Sequence, residues 1–124
     1  MNPEELINKA RIAQSRAFAK YSQYKVGAAL LTKENKVILG CNIESKAYPT
    51  TLCAERVAIF SAISSGYKDF KWLSVATEDG AYPCGSCRQI IAEYLGDAPI
   101  FVINSRTMSL LETSIDKLLP HPFK

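Results

Sequence analysis

The sequence has no run of five basic residues, no long apolar stretch, no internal repeat and no low-complexity tract. Each absence removes a class of function. Lys and Arg number 15 against 12 Asp and Glu, a formal charge of +3, with the two signs interspersed. A groove that tracks nucleic-acid phosphates needs a denser basic stripe than this. The apolar runs fall far short of the ~20 residues that cross a bilayer. Met1-Asn2-Pro3-Glu4-Glu5 is acidic, unlike the basic start of a secretory signal, so a cytoplasmic setting is expected. Cysteine is scarce as well. Cys41, Cys53, Cys84 and Cys87 are unevenly spaced and too few to staple 124 residues. In a reducing compartment, close cysteines bind metal or do chemistry more often than they form bridges.

What is present is an ordinary globular composition, 48% hydrophobic and 22% charged, which argues against disorder. The length suits one domain spanning residues 1–124, long enough to bury a core. A helix is predicted from Pro3 to Lys20. Asn2 caps it, Pro3 suits its first position, and Leu6, Ala10, Ala13 and Ala17 recur at helical spacing, with Ile7 and Phe18 widening the stripe. Two apolar runs, Val26 to Leu31 and Val37 to Ile43, read as an antiparallel hairpin. Neither alternates cleanly, so both faces of the sheet are expected to be covered. Gly27 within a strand allows close approach of a ligand or another backbone.

Thr50 or Thr51 is the expected cap of a second helix running to Ser65 and closed by Gly66. That helix is apolar on most sides, as in a centrally buried or oligomer-forming helix. Further strands are expected at Trp72–Thr77, Pro99–Ile103 and Thr107–Leu111. A third helix spans Cys84–Leu95, and a short helical turn spans Ser114–Leu119. The order predicts a layered α/β domain, three layers α/β/α with a mixed five-stranded sheet.

The chemistry lies in two segments, Thr51-Leu52-Cys53-Ala54-Glu55-Arg56 and Pro83-Cys84-Gly85-Ser86-Cys87-Arg88, each opening a helix. In a layered α/β domain such helix starts converge at a sheet edge, where unpaired N–H groups favour thiolate. Cys84 and Cys87 form a chelating pair, and Cys53 supplies a third thiolate. Three protein ligands on zinc leave one tetrahedral position for water, as in a catalytic site. Glu55 is placed to move a proton without being a ligand. The Cys-x-x-Cys pair alone also fits a structural zinc site or a redox dithiol. A fourth ligand for the former has to come from Cys41, which reads as a buried strand residue, or from His121, which reads as a surface residue. Three thiolates leave the zinc site with a net negative charge. Arg56, embedded in an apolar helix, is expected to donate to the sulfurs and withdraw some of it. Arg88 fits either that role or a solvated one.

Cys-Ala-Glu followed by Pro-Cys-x-x-Cys resembles the zinc deaminase signature in its three-cysteine form. The wider resemblance is to the small homotetrameric cytidine deaminases. It rests on Tyr21-Ser22-x-Tyr24-x-Val26-Gly27-Ala28-Ala29-Leu30, on Gly40-Cys41-Asn42-Ile43-Glu44, on the second cysteine segment and on Leu118-Leu119-Pro120 with Phe123. It implies hydrolytic deamination of cytidine and deoxycytidine with one Zn²⁺ per subunit, Glu55 carrying the protons. It also implies that Asn42 and Glu44 hold the ribose, that Ala54 offers backbone groups to the base edge, and that Tyr24 sits against the pyrimidine. Tyr48 and Phe123 are expected to reach a neighbouring subunit's site. Taken with the apolar second helix, it implies a homotetramer. The sequence departs from the family pattern at Tyr24, where phenylalanine is usual, and at Ser45-Lys46, where Asn-Ala is usual. Lys46 then either faces solvent or tolerates an anionic 5′ group. A deaminase of another aminopyrimidine, such as a blasticidin-type antibiotic, is the alternative; a polynucleotide-editing deaminase and a non-catalytic zinc module fit less well.

Overall fold

A computed structural model describes residues 1–47 and 52–121. The expected cap at Thr50 or Thr51 lies outside them, as do Tyr48 and Phe123. In chain order the elements are α1 (Pro3–Gln14), β1 (Gly27–Thr32), β2 (Val37–Cys41), α2 (Ala54–Ser64), β3 (Phe70–Thr77), α3 (Gly85–Leu95), β4 (Ile100–Asn104), β5 (Leu110–Thr113) and α4 (Ile115–Leu118). The strands form one mixed sheet in the order β2-β1-β3-β4-β5. Among these five strands β3 and β4 pair in parallel, across the crossover that contains α3, and the other neighbours pair antiparallel.

Strand alternation builds the layers. Ala29 and Leu31 of β1 face α1 and pack with Leu6, Ile7 and Ala10. Ala28 and Leu30 face the other way, into a core shared with Ala58 and Ile59 of α2 and Ile91 of α3. The sheet is therefore covered on both faces, as its unalternating runs imply. All of β1 is buried, whereas the edge strand β2 is mostly half-buried.

Two glycines let helices lie on the sheet. A Cβ on Gly27 would stand 2.1 Å from the Ala10 carbonyl oxygen, and one on Gly40 would stand 2.3 Å from that of Ala54. Of the two readings of Gly27, close approach of another backbone is the one realised.

The N-cap residue of α2 is Cys53, not Thr50 or Thr51, β2 stops at Cys41, not Ile43, and β3 starts at Phe70, not Trp72. Two other boundaries differ more. α1 ends at Gln14, not Lys20. The Arg16 and Ala17 amides close tight turns onto Ala13 and Gln14, and Phe18 then leaves the helix to bond the backbone of Asn42 and Glu44. The Phe18 side chain is exposed, not part of the apolar stripe. The tertiary backbone bonds override the helical periodicity. β5 begins at Leu110, not Thr107. Asn104 Oδ1 accepts the Arg106 and Thr107 amides, and Met108 takes a positive φ of 63°, so the turn consumes the residues assigned to the strand.

Candidate metal centre and active site

β2 and β3 run in the same direction, so their C-terminal ends share one edge of the sheet, and α2 and α3 start there on one face. The N-cap residues of the two helices are Cys53 and Cys84. Ser, Thr, Asp or Asn at that position caps with a side-chain bond; here neither cysteine makes one. The sulfurs are left pointing at each other in the positive field of two helix starts. Cys87 comes in from the first turn of α3 and is fully buried.

The three Sγ atoms lie within 4.8 Å of one another, and Cys53 Sγ is 3.7 Å from Cys84 Sγ. With zinc–sulfur bonds of about 2.3 Å, a tetrahedral site has sulfur–sulfur edges of about 3.8 Å. The donor set and its spacing fit a zinc ion. Cys53 is pulled down to about 5, chiefly because the Cys87 thiol donates to it, with Arg56 and Cys84 adding to the effect against burial. Cys87 is pushed up by the same bond, by burial and by the Glu55 charge. One sulfur of the cluster is thus already a ready anionic ligand.

Arg56 donates from Nη2 to Cys53 Sγ at 3.4 Å, while its buried Nε has no partner among the described residues. The guanidinium charge is strengthened first by that bond and then by its attraction to the cysteines. Arg88 goes elsewhere, donating to the Pro83 and Leu118 carbonyls at 2.7 and 2.9 Å. It pins the cysteine loop to the tail and makes no bond to sulfur.

Glu55 is 4% exposed, and burial pushes its carboxyl up to about 7. It can therefore hold or give up a proton near neutral pH. Glu55, Cys53 and Cys84 form one end of a cavity of about 300 Å³. Asn42, Glu44 and Ser22 form another part of its wall, and Tyr24 and Tyr82 also line it. Asn42 is held rigidly: its Oδ1 accepts the Val26 amide at 2.9 Å, and its Nδ2 donates to the Tyr24 carbonyl at 2.8 Å and to Glu44 at 3.4 Å. Glu44 accepts the Tyr21 and Ser22 amides at 2.9 and 3.0 Å and the Ser22 hydroxyl at its other oxygen. The serine bonds hold its carboxyl below the usual range.

The site residues expected from the sequence and lying within the described residues thus come together at one edge. Ala54 also lines the cavity, and Lys46 is exposed. Cys41 stands apart from the cluster, half-buried, with its thiol directed at the Arg16 carbonyl at 3.6 Å; His121 is exposed. The sequence reading gave no role to Ser22, Thr77, Asp79 or Tyr82. Ser22 sits in a motif that was read, but its partner Glu44 lies far along the chain, and Asp79 and Tyr82 lie in a loop without a motif.

Comparison with known proteins agrees with this geometry. Residues 1–103 match the family model described as the cytidine and deoxycytidylate deaminase zinc-binding region. A cytidine deaminase of Sporosarcina psychrophila is 44% identical over 126 residues, covering 99% of this chain and 92% of that protein. The crystal structure of a cytidine deaminase from Burkholderia pseudomallei superposes with a TM-score of 0.93 at 40% identity, covering 99% of this chain and 100% of that one. A blasticidin-S deaminase of Bacillus cereus is 34% identical over 80% of this chain and 76% of its own length.

Proposed function

The chain belongs to the cytidine and deoxycytidylate deaminase family of zinc-dependent hydrolases, and from that premise we propose that it converts cytidine and deoxycytidine to uridine and deoxyuridine with release of ammonia. The observation that carries the reading is a cluster of three cysteine sulfurs beside a buried glutamate, at one end of a cavity that also contains a fixed Asn–Glu pair. The cavity, about 300 Å³, is of the size expected for a small-molecule site.

Cys53, Cys84 and Cys87 would hold a zinc ion, which when bound would supply Lewis-acid activation of a water for attack at C4 of the pyrimidine. Glu55 takes the proton the water gives up, delivers it to N3 and then assists departure of the exocyclic amine as ammonia. Its buried carboxyl, raised to about 7, suits both directions of transfer. Arg56 draws negative charge from Cys53. Asn42 and Glu44 bind the ribose hydroxyls, Ala54 presents backbone groups to the base edge, and the Tyr24 ring lies against the pyrimidine. An Asn–Glu pair placed for the sugar also favours the nucleoside over the free base, which makes no bond to the pair.

Residues 1–124 act as one domain and one subunit of a homotetramer in the cytoplasm, serving pyrimidine salvage. The exposed Phe60 and Ile63 of α2, with Phe60 meeting Tyr94 edge-on at 6.5 Å, support burial of that face between copies. In that assembly Tyr48 and Phe123 reach a neighbouring site. No helix among the described residues is long and apolar enough to cross a membrane. Zinc analysis together with an absorbance assay for cytidine loss tests the reaction. Turnover of neither nucleoside refutes it. The similarity to a blasticidin-S deaminase supports a second reading, an aminopyrimidine nucleoside antibiotic as substrate. Side-by-side assays of cytidine, cytosine and blasticidin S separate the two.

A further inference from the structure

Tyr24 is held from two directions. Its backbone belongs to the Asn42–Glu44 end of the cavity: its amide donates to Ser22 Oγ at 3.0 Å, its carbonyl accepts Asn42 Nδ2 at 2.8 Å, and Ser22 in turn donates to Glu44. Its side chain reaches the loop that follows β3. The phenol hydroxyl donates to Asp79 Oδ1 at 2.5 Å, and the same oxygen accepts the Ala81 amide at 3.1 Å. Asp79 stands just past β3, at the start of the loop that carries Tyr82 into the cavity and ends at Cys84.

The bond spans 55 positions and is the kind that fixes an aromatic ring. A phenylalanine there has only packing to set its torsions. A phenol bonded to a carboxylate has a short, charge-assisted anchor at the ring's far end. Other acceptors nearby are engaged or badly aimed. Glu78 faces Arg106 at 3.6 Å. The buried Thr77 hydroxyl lies close to both Tyr24 and Asp79 yet forms no well-aligned bond. The loop is bent to suit: Gly80, between Asp79 and Ala81, has φ +75°, a conformation that L side chains rarely adopt. Burial first, then the bond to Asp79, raises the Tyr24 hydroxyl to about 12, so it remains a donor across the physiological range.

We infer that Asp79 is a positioning residue for substrate: through the Tyr24 hydroxyl it fixes the aromatic wall of the cavity, and with it the pose in which a pyrimidine ring meets the metal end. The assignment rests on the pyrimidine nucleoside reading above. It places a specificity element in the loop between β3 and the cysteine pair, and it couples that loop to the ribose end of the cavity.

The test is a double-mutant cycle on the zinc-loaded protein with cytidine, using Asp79→Ala, Tyr24→Phe and the double variant, with Asp79→Asn as the conservative control. Asp79→Ala raises KM about five- to tenfold and changes kcat by less than about twofold. Asp79→Asn recovers most of the loss, because its amide oxygen still accepts from both Tyr24 and Ala81. In the Tyr24→Phe background, Asp79→Ala adds no more than about twofold to KM. An equal cost in both backgrounds overturns the inference, since Asp79 then acts only by shaping the loop through Ala81. So does a fall in kcat with KM held. Calorimetry with uridine, the expected product, reads the same cycle without chemistry. If the wild type fails to deaminate cytidine, the proposed reaction is lost. Coupling in uridine affinity then still upholds the positioning role, and additive or absent uridine binding removes it.

Discussion

Arg56 Nη2 lies 3.4 Å from Cys53 Sγ, a guanidinium held against a sulfur from the first turn of the helix that Cys53 caps. Three thiolates on one Zn²⁺ carry excess negative charge, and a donor to one of them reduces the electron density passed to the metal. Arg56→Ala is expected to lower kcat/KM by about ten- to a hundredfold and to move the rise of the pH–rate profile upward, because the attacking water becomes less acidic. Zinc titration and the pH profile check this. If neither changes, Arg56 serves only to fill space.

Glu55→Gln separates chemistry from architecture. The amide fits the same buried space, so zinc content and fold are expected to be retained while turnover falls by a factor of about 10²–10⁴ or more. The variant also reads out a pH effect in zinc-free protein. The folded carboxyl sits at about 7, above its ordinary 4.5. Between those values the folded state holds a proton that the unfolded state has released, so this group makes stability fall as pH rises. Cys53, lowered to about 5 from 9.0, works in the opposite direction over pH 5 to 9. The difference in melting temperature between wild type and Glu55→Gln, followed from pH 4.5 to 7, isolates the glutamate. A difference that stays constant places that carboxyl in water.

The cysteine cluster was legible in the sequence because metal ligation imposes residue types and helix starts impose their placement. Cys53 and Cys84 stand at the N-cap positions, and their neighbours Glu55 and Cys87 follow at fixed helical offsets. The layers were legible too, since β1 lacks polar alternation and Gly27 and Gly40 leave room for helices. What periodicity alone could not give were features decided by distant partners. The end of α1 depends on Phe18 finding the backbone of Asn42 and Glu44. The start of β5 depends on Asn104 turning its side chain onto the next two amides that follow Ser105. The Tyr24–Asp79 pair was legible only as a tyrosine where phenylalanine is usual. Nothing local to residue 79 marks it as that partner.

Glu44 makes a different pH prediction. The Ser22 hydroxyl, the Ser22 amide and the Tyr21 amide hold its carboxyl below the ordinary 4.5. A depressed folded value means the charged form, and whatever it contributes, is present above 4.5 and lost only as pH falls through the lower folded value. Cytidine KM is therefore expected to be insensitive to Glu44 ionisation above pH 4.5. Glu44→Gln should raise KM and shrink the preference for cytidine over cytosine, because a donor replaces an acceptor at the sugar. Ser22→Ala should do the same more weakly, since both amide donors remain. Steady-state kinetics on nucleoside and base decide. An unchanged preference in Glu44→Gln removes Glu44 from sugar recognition.

Gly27 and Gly40 press against helix backbone, not against side chains that can rotate away. A methyl at Gly27 meets the Ala10 carbonyl at 2.1 Å and the Gln14 amide at 2.2 Å; one at Gly40 meets the Ala54 carbonyl at 2.3 Å and the Ala58 amide at 2.5 Å. Relief requires moving a helix, and overpacking of this kind costs about 1–3 kcal/mol or more. Both Ala variants are expected to melt well below wild type. Their functional consequences should differ, because the displaced helices differ. α1 bears no proposed ligand or catalytic group, so folded Gly27→Ala should keep its zinc. α2 carries Cys53 at its cap and Glu55 and Arg56 in its first turn, so a shift there spreads the sulfur cluster. Gly40→Ala should lose zinc affinity along with stability, measured by metal titration and thermal melting at low temperature-scan rates. Equal zinc affinity in the two variants would mean that the cluster is held by Cys84 and Cys87 of α3 independently of where α2 rests on the sheet.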